Sequence, residues 1–294
     1  AAICRASLQL PGAVRARWDA RSLARIGDTE AFRRPMAGYF RDRFHRIDIN
    51  ERKLGVVFVS PYAVCPPVHG GGVFMNQTLR QLGQLTRLHL VALVDEPNEI
   101  AAHEQLRHCT DSMEFLVRME GRPARPASLE PKAVLEFANQ DLEWIIHRKL
   151  FTERLHVLQL EYTNMGQYAC DFNQMACVLF EHDVFFQSIA RGLNGRSGLS
   201  RLKASLEYLR ALRFELRLLP RLDRIQTCTT ENKRYLLSYL PGLADRIDDH
   251  VRAGIDAAAY PFHDEERDAR TMLFLGSFRH TPNVAALNWF LYEV

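Results

Sequence analysis

Short apolar runs rich in β-branched residues alternate along the chain with segments of helical periodicity. The first run, residues 54–60 (LGVVFVS), is typical of a strand that is buried on both faces. Residues 73–85 follow with apolar positions on one helical face, and residues 88–94 form a second apolar run. A strand, a helix and a second parallel strand make a βαβ unit, so the pattern predicts a parallel sheet covered by helices.

The same alternation continues through most of the chain. Strands are predicted at 113–117, 155–160, 176–180, 224–228 and 248–253, and helices at 132–150, 199–219 and 230–238. We therefore predict an α/β protein with a Rossmann-like doubly wound parallel sheet.

The sequence predicts that a second domain begins near the end of the chain. After the polar segment HDEERDAR, residues 271–276 (TMLFLG) predict a new strand, and Thr281 with Pro282 favours the first turn of a helix. We expect a helical extension, or the tail of a preceding domain, over residues 1–52. The main domain is expected over 53–262, with the truncated start of a second Rossmann-like domain over 263–294.

The composition argues against several classes of protein. The 294 residues carry 38 Lys plus Arg against 35 Asp plus Glu, a formal charge of +3, which argues against a protein built to bind nucleic acid. No apolar run approaches the roughly 20 residues that span a bilayer, and the first residues lack a secretory pattern, so a cytoplasmic protein is expected. The six cysteines include no C-x-x-C pair that would indicate a zinc or redox site.

Three successive glycines, Gly70, Gly71 and Gly72, stand between the first predicted strand and its helix. Glycines allow a ligand to approach the backbone closely, and a helix N-terminus favours anions, so this segment is predicted to bind a phosphate or sugar hydroxyls. A dinucleotide fingerprint G-x-G-x-x-G is absent, which disfavours an NAD-dependent oxidoreductase. The G-x-S-x-G elbow of lipases is also absent.

Polar residues follow two other predicted strands. His182 comes directly after the strand that ends at residue 180, where an imidazole can contact a sugar hydroxyl or transfer a proton. Glu161 and Tyr162 hold the equivalent place after the preceding strand, and we expect them to support the site rather than to react. A lone histidine is more often a capping or structural residue, but ligands bind at the carboxyl ends of strands in such sheets, which makes a functional role for His182 as well supported as a structural one.

Five segments in order resemble the retaining, nucleotide-sugar-dependent glycosyltransferases of family four, also called group one. They are LGVVFVSPYAVCPPVHGGG, VLQLEYTNMGQYA, LFEHDV, AGID and LFLGSFRHTPNVAALNWF. The resemblance implies the GT-B arrangement, in which two Rossmann-like domains face each other. It also implies a nucleoside-diphosphate sugar as donor, a glycan or lipid-linked acceptor, and no cofactor or metal.

The resemblance places roles on individual residues. The three glycines would face the donor diphosphate and the acceptor, and His182 would contact the transferred sugar. Gly254 and Asp256 would match the turn that closes the first domain, and Gly276 the glycine after the first strand of the donor-binding domain.

The sequence departs from the family pattern at the turn that closes the first domain and at the start of the donor-binding domain. Ala253 stands where the turn usually has Asn, Ser277 where many members have a phosphate-binding Arg, and Asn283 near the position of a family Lys. Arg279 and His280 would then be the local contacts for the diphosphate. The family's paired glutamates would lie beyond the last residue, so we expect this chain alone to be inactive.

The helix over 199–219 combines leucines with basic residues, namely Arg201, Lys203, Arg210, Arg213 and Arg217. Such a helix can lie on an anionic membrane, where lipid-linked acceptors reside. Because Glu207 and Glu215 are intermixed, we favour leucines packed on the sheet over peripheral contact with the inner face of the membrane. For the whole chain, the alternative to a transferase in surface polysaccharide biosynthesis is a non-catalytic module that binds a phosphorylated ligand or a protein partner.

Overall fold

The protein is described from a computed structural model. It covers residues 10–19, 53–118, 129–169, 175–193, 196–251, 254, 257–259, 261–262, 268–276, 278 and 281–294. Within these residues, seven parallel strands form one sheet in the order β3-β2-β1-β4-β5-β6-β7. They are β1 (Gly55–Ser60), β2 (Arg87–Val94), β3 (Ser112–Val117), β4 (Val157–Glu161), β5 (Ala176–Glu181), β6 (Arg224–Thr227) and β7 (Ile247–Asp248).

Helices connect the strands, and residues 10–19 are helical as well (α1). The others are α2 (Gly70–Leu85), α3 (Asn98–Ala102), α4 (Lys132–Glu136), α5 (Gln140–Thr152), α6 (Phe185–Arg191), α7 (Gly198–Leu218), α8 (Thr230–Tyr239) and α9 (Thr281–Glu293).

The sheet is buried on both faces, which explains the uninterrupted apolar runs. In β1, Val57 and Val59 face a core that includes Ile146, while Val56 and Phe58 face the opposite core. Alternate residues of a strand point to opposite faces, so one run of apolar residues fills both cores. The α/β class and the Rossmann-like doubly wound sheet predicted from the sequence are confirmed.

The strand order reverses between β1 and β4. β1 pairs with β2 on one side and with β4 on the other, in parallel register. The crossovers on the two sides of this point run in opposite directions, so a crevice forms above the carboxyl ends of β1 and β4.

Two predicted elements differ in extent. The helix expected over 132–150 is two helices, because the Asn139 side chain accepts hydrogen bonds from the backbone N–H groups of Asp141 and Leu142 and starts α5 afresh. Of the strand expected over 248–253, only Asp248, the last residue of β7, is in a strand among residues 248–251, and residues 252 and 253 lie outside the described part of the chain.

Residues 256–294 form a compact unit separate from residues 1–255. In this smaller unit α9 forms as predicted, but the strand predicted over 271–276 is wrong: these residues have no strand conformation. Leu273 and Leu275 are 89% and 92% exposed. A strand needs hydrogen-bonded neighbours, and none pairs with this segment among the described residues of the unit.

The leucine stripe of α7 is not packed on the sheet along its whole length, which corrects the preferred expectation. Leu199, Leu202, Leu206 and Leu209 are between 50% and 76% exposed, whereas Leu218 is buried. The buried face of the helix consists instead of Ala204, Ala211, Glu215 and Leu218. None of the described helices is both long enough and apolar enough to cross a membrane.

Candidate functional site

Three strands of the sheet end in residues that meet above its carboxyl edge. β1 ends at Ser60, two residues before Tyr62; β4 ends at Glu161, followed by Tyr162; and β5 ends at Glu181, followed by His182. The neighbouring register of β1, β4 and β5 therefore brings these side chains together at the point where the strand order reverses.

A buried hydrogen bond joins Glu161 to His182. The imidazole Nε2 lies 2.9 Å from Glu161 Oε2, and the two side chains are only 1% and 10% exposed. Burial raises the pKa of Glu161, and the hydrogen bond to His182 opposes that shift. Gln159 donates from Nε2 to the other carboxylate oxygen. The pair fixes the orientation of the imidazole, and Nδ1 is left without a hydrogen-bond partner among the described residues.

Tyr162 holds its ring against His182 through an unusual backbone. The two rings stack at 3.8 Å between centroids with an interplanar angle of 10°. Tyr162 has a φ of 68° and a ψ of 145°, a conformation that costs a residue with a side chain about 1–3 kcal/mol. Strain of this kind persists where the surroundings fix the residue, and it is concentrated at functional sites.

The glycines lie in the first turn of α2 and not in a loop, which corrects their predicted place. The side chain of His69 forms the N-cap, and its Nδ1 accepts a hydrogen bond from Gly72 N at 3.0 Å. Burial lowers the pKa of His69, with a further contribution from His182, so the neutral ring is favoured as acceptor.

Gly71 is in direct contact with the site. A Cβ at this position would lie 1.9 Å from Tyr162 Oη, far inside van der Waals contact, whereas a Cβ at Gly70 would meet nothing within 4 Å. The Tyr162 ring thus lies between Gly71 and His182. Two separated predicted positions, the glycines and the histidine, are brought together by this one side chain.

An open cleft of about 480 Å³ borders Tyr162, while His182, Glu161 and the three glycines are not part of its lining. Its lining includes Tyr62, Arg118, Phe137, Tyr162, Thr163, Asn164 and Asp183. Tyr62 packs edge-on against both Tyr162 and Phe137, with centroids 5.5 and 5.4 Å apart. Aromatic faces beside polar groups are the combination that carbohydrate ligands use, because a sugar presents apolar C–H patches and hydroxyls together.

Arg118 lines the cleft next to Phe137. It follows β3 directly, forms ion pairs of 2.7 Å with Asp95 and 2.6 Å with Glu136, and lies 5.1 Å from the centre of the Phe137 ring. With both carboxylates beside it, the guanidinium holds Phe137 in place rather than offering an unpaired positive charge.

A buried pair of carboxyl groups lies below the cleft. Glu181 accepts a hydrogen bond from Thr163 and shares one with Glu215, which also accepts from the backbone N–H groups of Phe185 and Phe186 at the start of α6. Burial raises the pKa of both carboxyls; Glu181 raises the pKa of Glu215 further, whereas the hydrogen bond with Glu215 lowers the pKa of Glu181. The pair thereby joins the end of β5 to α6 and α7.

Apart from the three glycines, the residues predicted to contact the donor fall in the range of the smaller unit. There Gly276 and Asn283 are neighbours, since a Cβ at Gly276 would lie 2.9 Å from Asn283 Nδ2. The predicted contacts Arg279 and His280 lie outside the described residues, as do Ala253, Asp256 and Ser277. Gly254 is described and exposed.

Sequence reasoning missed several residues of the cleft. Tyr62 and Arg118 each lie within two residues of a strand's carboxyl end, so applying that rule to every strand would have found them. Phe137 and Asn164 come from the break between α4 and α5 and from a 3₁₀ turn after β4. Neither of these two positions has a periodicity that marks it.

One group in the described part of the chain has the spacing of metal ligands: Asp248, Asp249 and His250, whose ligand atoms lie within 4.8 Å of one another. Asp249 is already paired with Lys233 at 3.1 Å, and that hydrogen bond lowers the pKa of Asp249 to about 2. His250 N donates to Asp248. The group is a hydrogen-bonded turn after β7 and is absent from the lining of the cleft.

Comparison with protein-family models and with curated proteins gave no match. Among solved structures, the chain is similar to a putative UDP-N-acetylglucosamine 2-epimerase from Listeria monocytogenes, with 12% identity and a TM-score of 0.44 over 74% of this chain and 50% of that one. Another UDP-N-acetylglucosamine 2-epimerase matches with 13% identity and a TM-score of 0.38 over 67% and 47%. Truncated TubZ of Clostridium botulinum phage c-st matches with 7% identity and a TM-score of 0.31 over 59% and 52%. The chain thus spans about half the length of each of these structures.

Proposed function

We propose that this chain is the acceptor-side part of a retaining glycosyltransferase that moves a sugar from a nucleoside-diphosphate donor to a glycan or lipid-linked acceptor. The observation that carries the proposal is the Glu161–His182 hydrogen bond at the point where the strand order reverses, next to Tyr162, which stacks on His182 and lines the aromatic cleft. The motif resemblance assigns the same histidine to the transferred sugar.

The acceptor would occupy the cleft. Tyr62 and Phe137 offer ring faces and edges to the sugar, while Asp183 is an exposed carboxylate that can accept from a hydroxyl. Asn164 adds a polar side chain to the same wall, and no hydrogen bond to its Oδ1 is found among the described residues. A buried acceptor atom without a partner is costly, so a ligand hydroxyl that reached it would gain affinity.

His182 would contact the transferred sugar through Nδ1. When Glu161 is ionised, Nε2–H donates to it and Nδ1 is an acceptor for a sugar hydroxyl; when the ring is protonated, Nδ1–H donates. Glu161 is a positioning residue in this scheme, because it touches the imidazole and not the sugar. The departing diphosphate would itself help to remove the acceptor proton, so the proposal requires no protein base.

The donor would be held by the other side of the site. The first turn of α2 supplies backbone N–H groups of Gly70 and Gly71 that precede the helical hydrogen bonds, which begin with Val73 N to His69 O. We assign Gly276, Arg279, His280 and Asn283 to the diphosphate on the resemblance alone. Backbone amides and cations of this kind can stabilise a diphosphate leaving group without a metal or cofactor, so transfer should persist in excess EDTA.

The test is sugar transfer by the protein expressed from its complete gene, using a panel of radiolabelled nucleotide sugars and glycolipid acceptors. His182→Ala is expected to lower kcat by about 100-fold, the size of the loss when one polar contact to a transition state is removed, and exposed His108→Ala is the matched control. Glu161→Gln should lower kcat while KM for the donor changes little, because the ring loses its fixed orientation.

Two results would contradict the proposal. Full activity in His182→Ala would remove the histidine from the reaction. Saturable binding of a phosphorylated ligand with no turnover for any donor would instead favour the non-catalytic binding module.

A further inference from the structure

The amino-terminal half of α7 presents an apolar stripe to solvent. Leu199, Leu202, Leu206 and Leu209 are 76%, 66%, 50% and 56% exposed. Their spacing of three and four residues puts them on one side of the helix, opposite buried Ala204 and Ala211. Isolated exposed leucines are ordinary, but four on one stripe form a contiguous surface that calls for a partner.

Basic residues surround this stripe. Lys203 and Arg217 are exposed on the same half of the helix surface as the leucines, and exposed Arg201 lies at the edge of that half. Arg210 and Arg213 are half-buried and already paired, with Glu207 at 3.4 Å and Glu130 at 3.6 Å, so the cations available to headgroups are Arg201, Lys203 and Arg217. The other acid of the helix, Glu215, is buried on the opposite side.

The position of the stripe relates it to the cleft. Because α7 returns the chain to the start of the next parallel strand, its amino-terminal end lies toward the carboxyl edge of the sheet. Glu215 touches the start of α6 at that edge, and Leu199 precedes Glu215 by 16 residues, about 24 Å of helix. The helix is also fastened to α4, which supplies Ala133 and Glu136 to the cleft lining.

We propose that α7 docks the protein on an anionic phospholipid bilayer, with Leu199, Leu202, Leu206 and Leu209 inserted at the interface and the surrounding cations against the headgroups. Leucines in a basic ring match such a surface in both polarity and charge. The docked helix places the cleft beside the membrane, where a lipid-linked acceptor would be within reach. The docking itself does not depend on the proposed transfer reaction.

Vesicle sedimentation tests this surface. The protein is mixed with vesicles of phosphatidylcholine alone or with about 30% phosphatidylglycerol, a content that gives a strongly negative surface. Binding is expected only to the anionic vesicles, and it should weaken as salt rises from about 0.1 to about 0.5 M because the headgroup attraction is screened. The double variant Leu202→Asp/Leu206→Asp should lower the partition coefficient by about tenfold or more.

The matched control is the double variant Leu85→Asp/Phe151→Asp. Leu85 and Phe151 are 72% and 69% exposed near the ends of α2 and α5, so this variant adds the same two charges at exposed apolar positions outside the stripe and should bind as the wild type does. Circular dichroism checks that Leu202→Asp/Leu206→Asp is folded, which is expected because neither leucine is in the core.

Three outcomes would overturn the proposal. The first is equal vesicle binding by Leu202→Asp/Leu206→Asp and the wild type, which would reduce the contact to charge alone. The second is no vesicle binding together with a dimer in analytical ultracentrifugation that Leu202→Asp/Leu206→Asp dissociates, which would assign the stripe to a second copy of the chain. The third is no binding in either assay. None of these results bears on sugar transfer, which is measured separately.

Discussion

Gly71 is the residue at which the site leaves no room for a side chain. Gly71→Ala would place a methyl group 1.9 Å from Tyr162 Oη, so the tyrosine ring would have to move and would lose its stack on His182. We expect acceptor affinity and transfer to fall by about tenfold, since misplacement of about 1 Å in a site has effects of this order or larger. The NMR resonances of the His182 ring should shift at the same time.

The neighbouring glycine supplies the control for this variant. Gly70→Ala makes the same change one residue earlier, in open space, and should leave activity and the His182 resonances unchanged. Gly71→Ala should also be the less stable of the two variants, because only its methyl group displaces the Tyr162 ring. An equal loss of activity in both would show that helix formation, and not contact with Tyr162, is what the glycines provide.

Local chemistry at the strand ends was visible in the sequence, but its geometry was not. The rule that ligands bind at carboxyl ends of strands identified His182, Glu161 and Tyr162 as neighbours of a site. The sequence does not reveal that Tyr162 has a positive φ and fills the space beside Gly71. That contact joins residues 91 positions apart, and no local pattern specifies it.

At the scale of the elements, the buried carboxyl groups of Glu181 in β5 and Glu215 in α7 make the stability of the fold depend on pH. Burial raises the pKa of both carboxyls above the ordinary value near 4.5, so the folded protein retains a proton that the unfolded chain releases. Stability is then greatest below the ordinary glutamate pKa and is lost as pH rises through the raised folded values. The window begins just above pH 4.5 and extends upward.

Glu215→Gln should remove much of this dependence. The amide keeps one acceptor for the N–H groups at the start of α6 and can donate to Glu181 without a shared proton. Urea unfolding at pH 5 and pH 8 should show a smaller fall in the free energy of unfolding than in the wild type, with the variant the more stable of the two at pH 8. Exposed Glu143→Gln is the control, and the same fall in the wild type and Glu215→Gln would refute the account.

The strands could be predicted from the sequence wherever both of their faces are buried. Strands β1, β2, β4 and β5 are apolar because both faces of the sheet are covered, and their bounds match the predicted runs within about two residues. The break between α4 and α5 was missed because one capping side chain, Asn139, overrides continuous helical periodicity. The exposure of the α7 leucines was missed because helical periodicity shows that leucines share one side of a helix. It does not show whether that side packs against the rest of the protein.

At the scale of the molecule, the hydrophobic core is contained in the larger unit. Every buried residue of the two core clusters lies between Val56 and Ile247. We therefore predict that a chain ending at residue 255 unfolds cooperatively with a Tm within about 4 °C of the full chain, a difference that corresponds to about 1–2 kcal/mol in a domain of this size. Differential scanning calorimetry of both chains measures this, and loss of a cooperative transition on truncation would contradict it.

The interlock of Gly71 with Tyr162 also constrains how this protein can diverge. A Cβ at position 71 would lie 3.1 Å from Tyr162 Cζ, so an alanine becomes nearly tolerable once the hydroxyl is gone. Natural relatives should therefore keep glycine at 71 with tyrosine at 162, or exchange both together for alanine with phenylalanine or a smaller residue. In evolution from the first pair to the second, the substitution of Tyr162 would have to precede the substitution of Gly71.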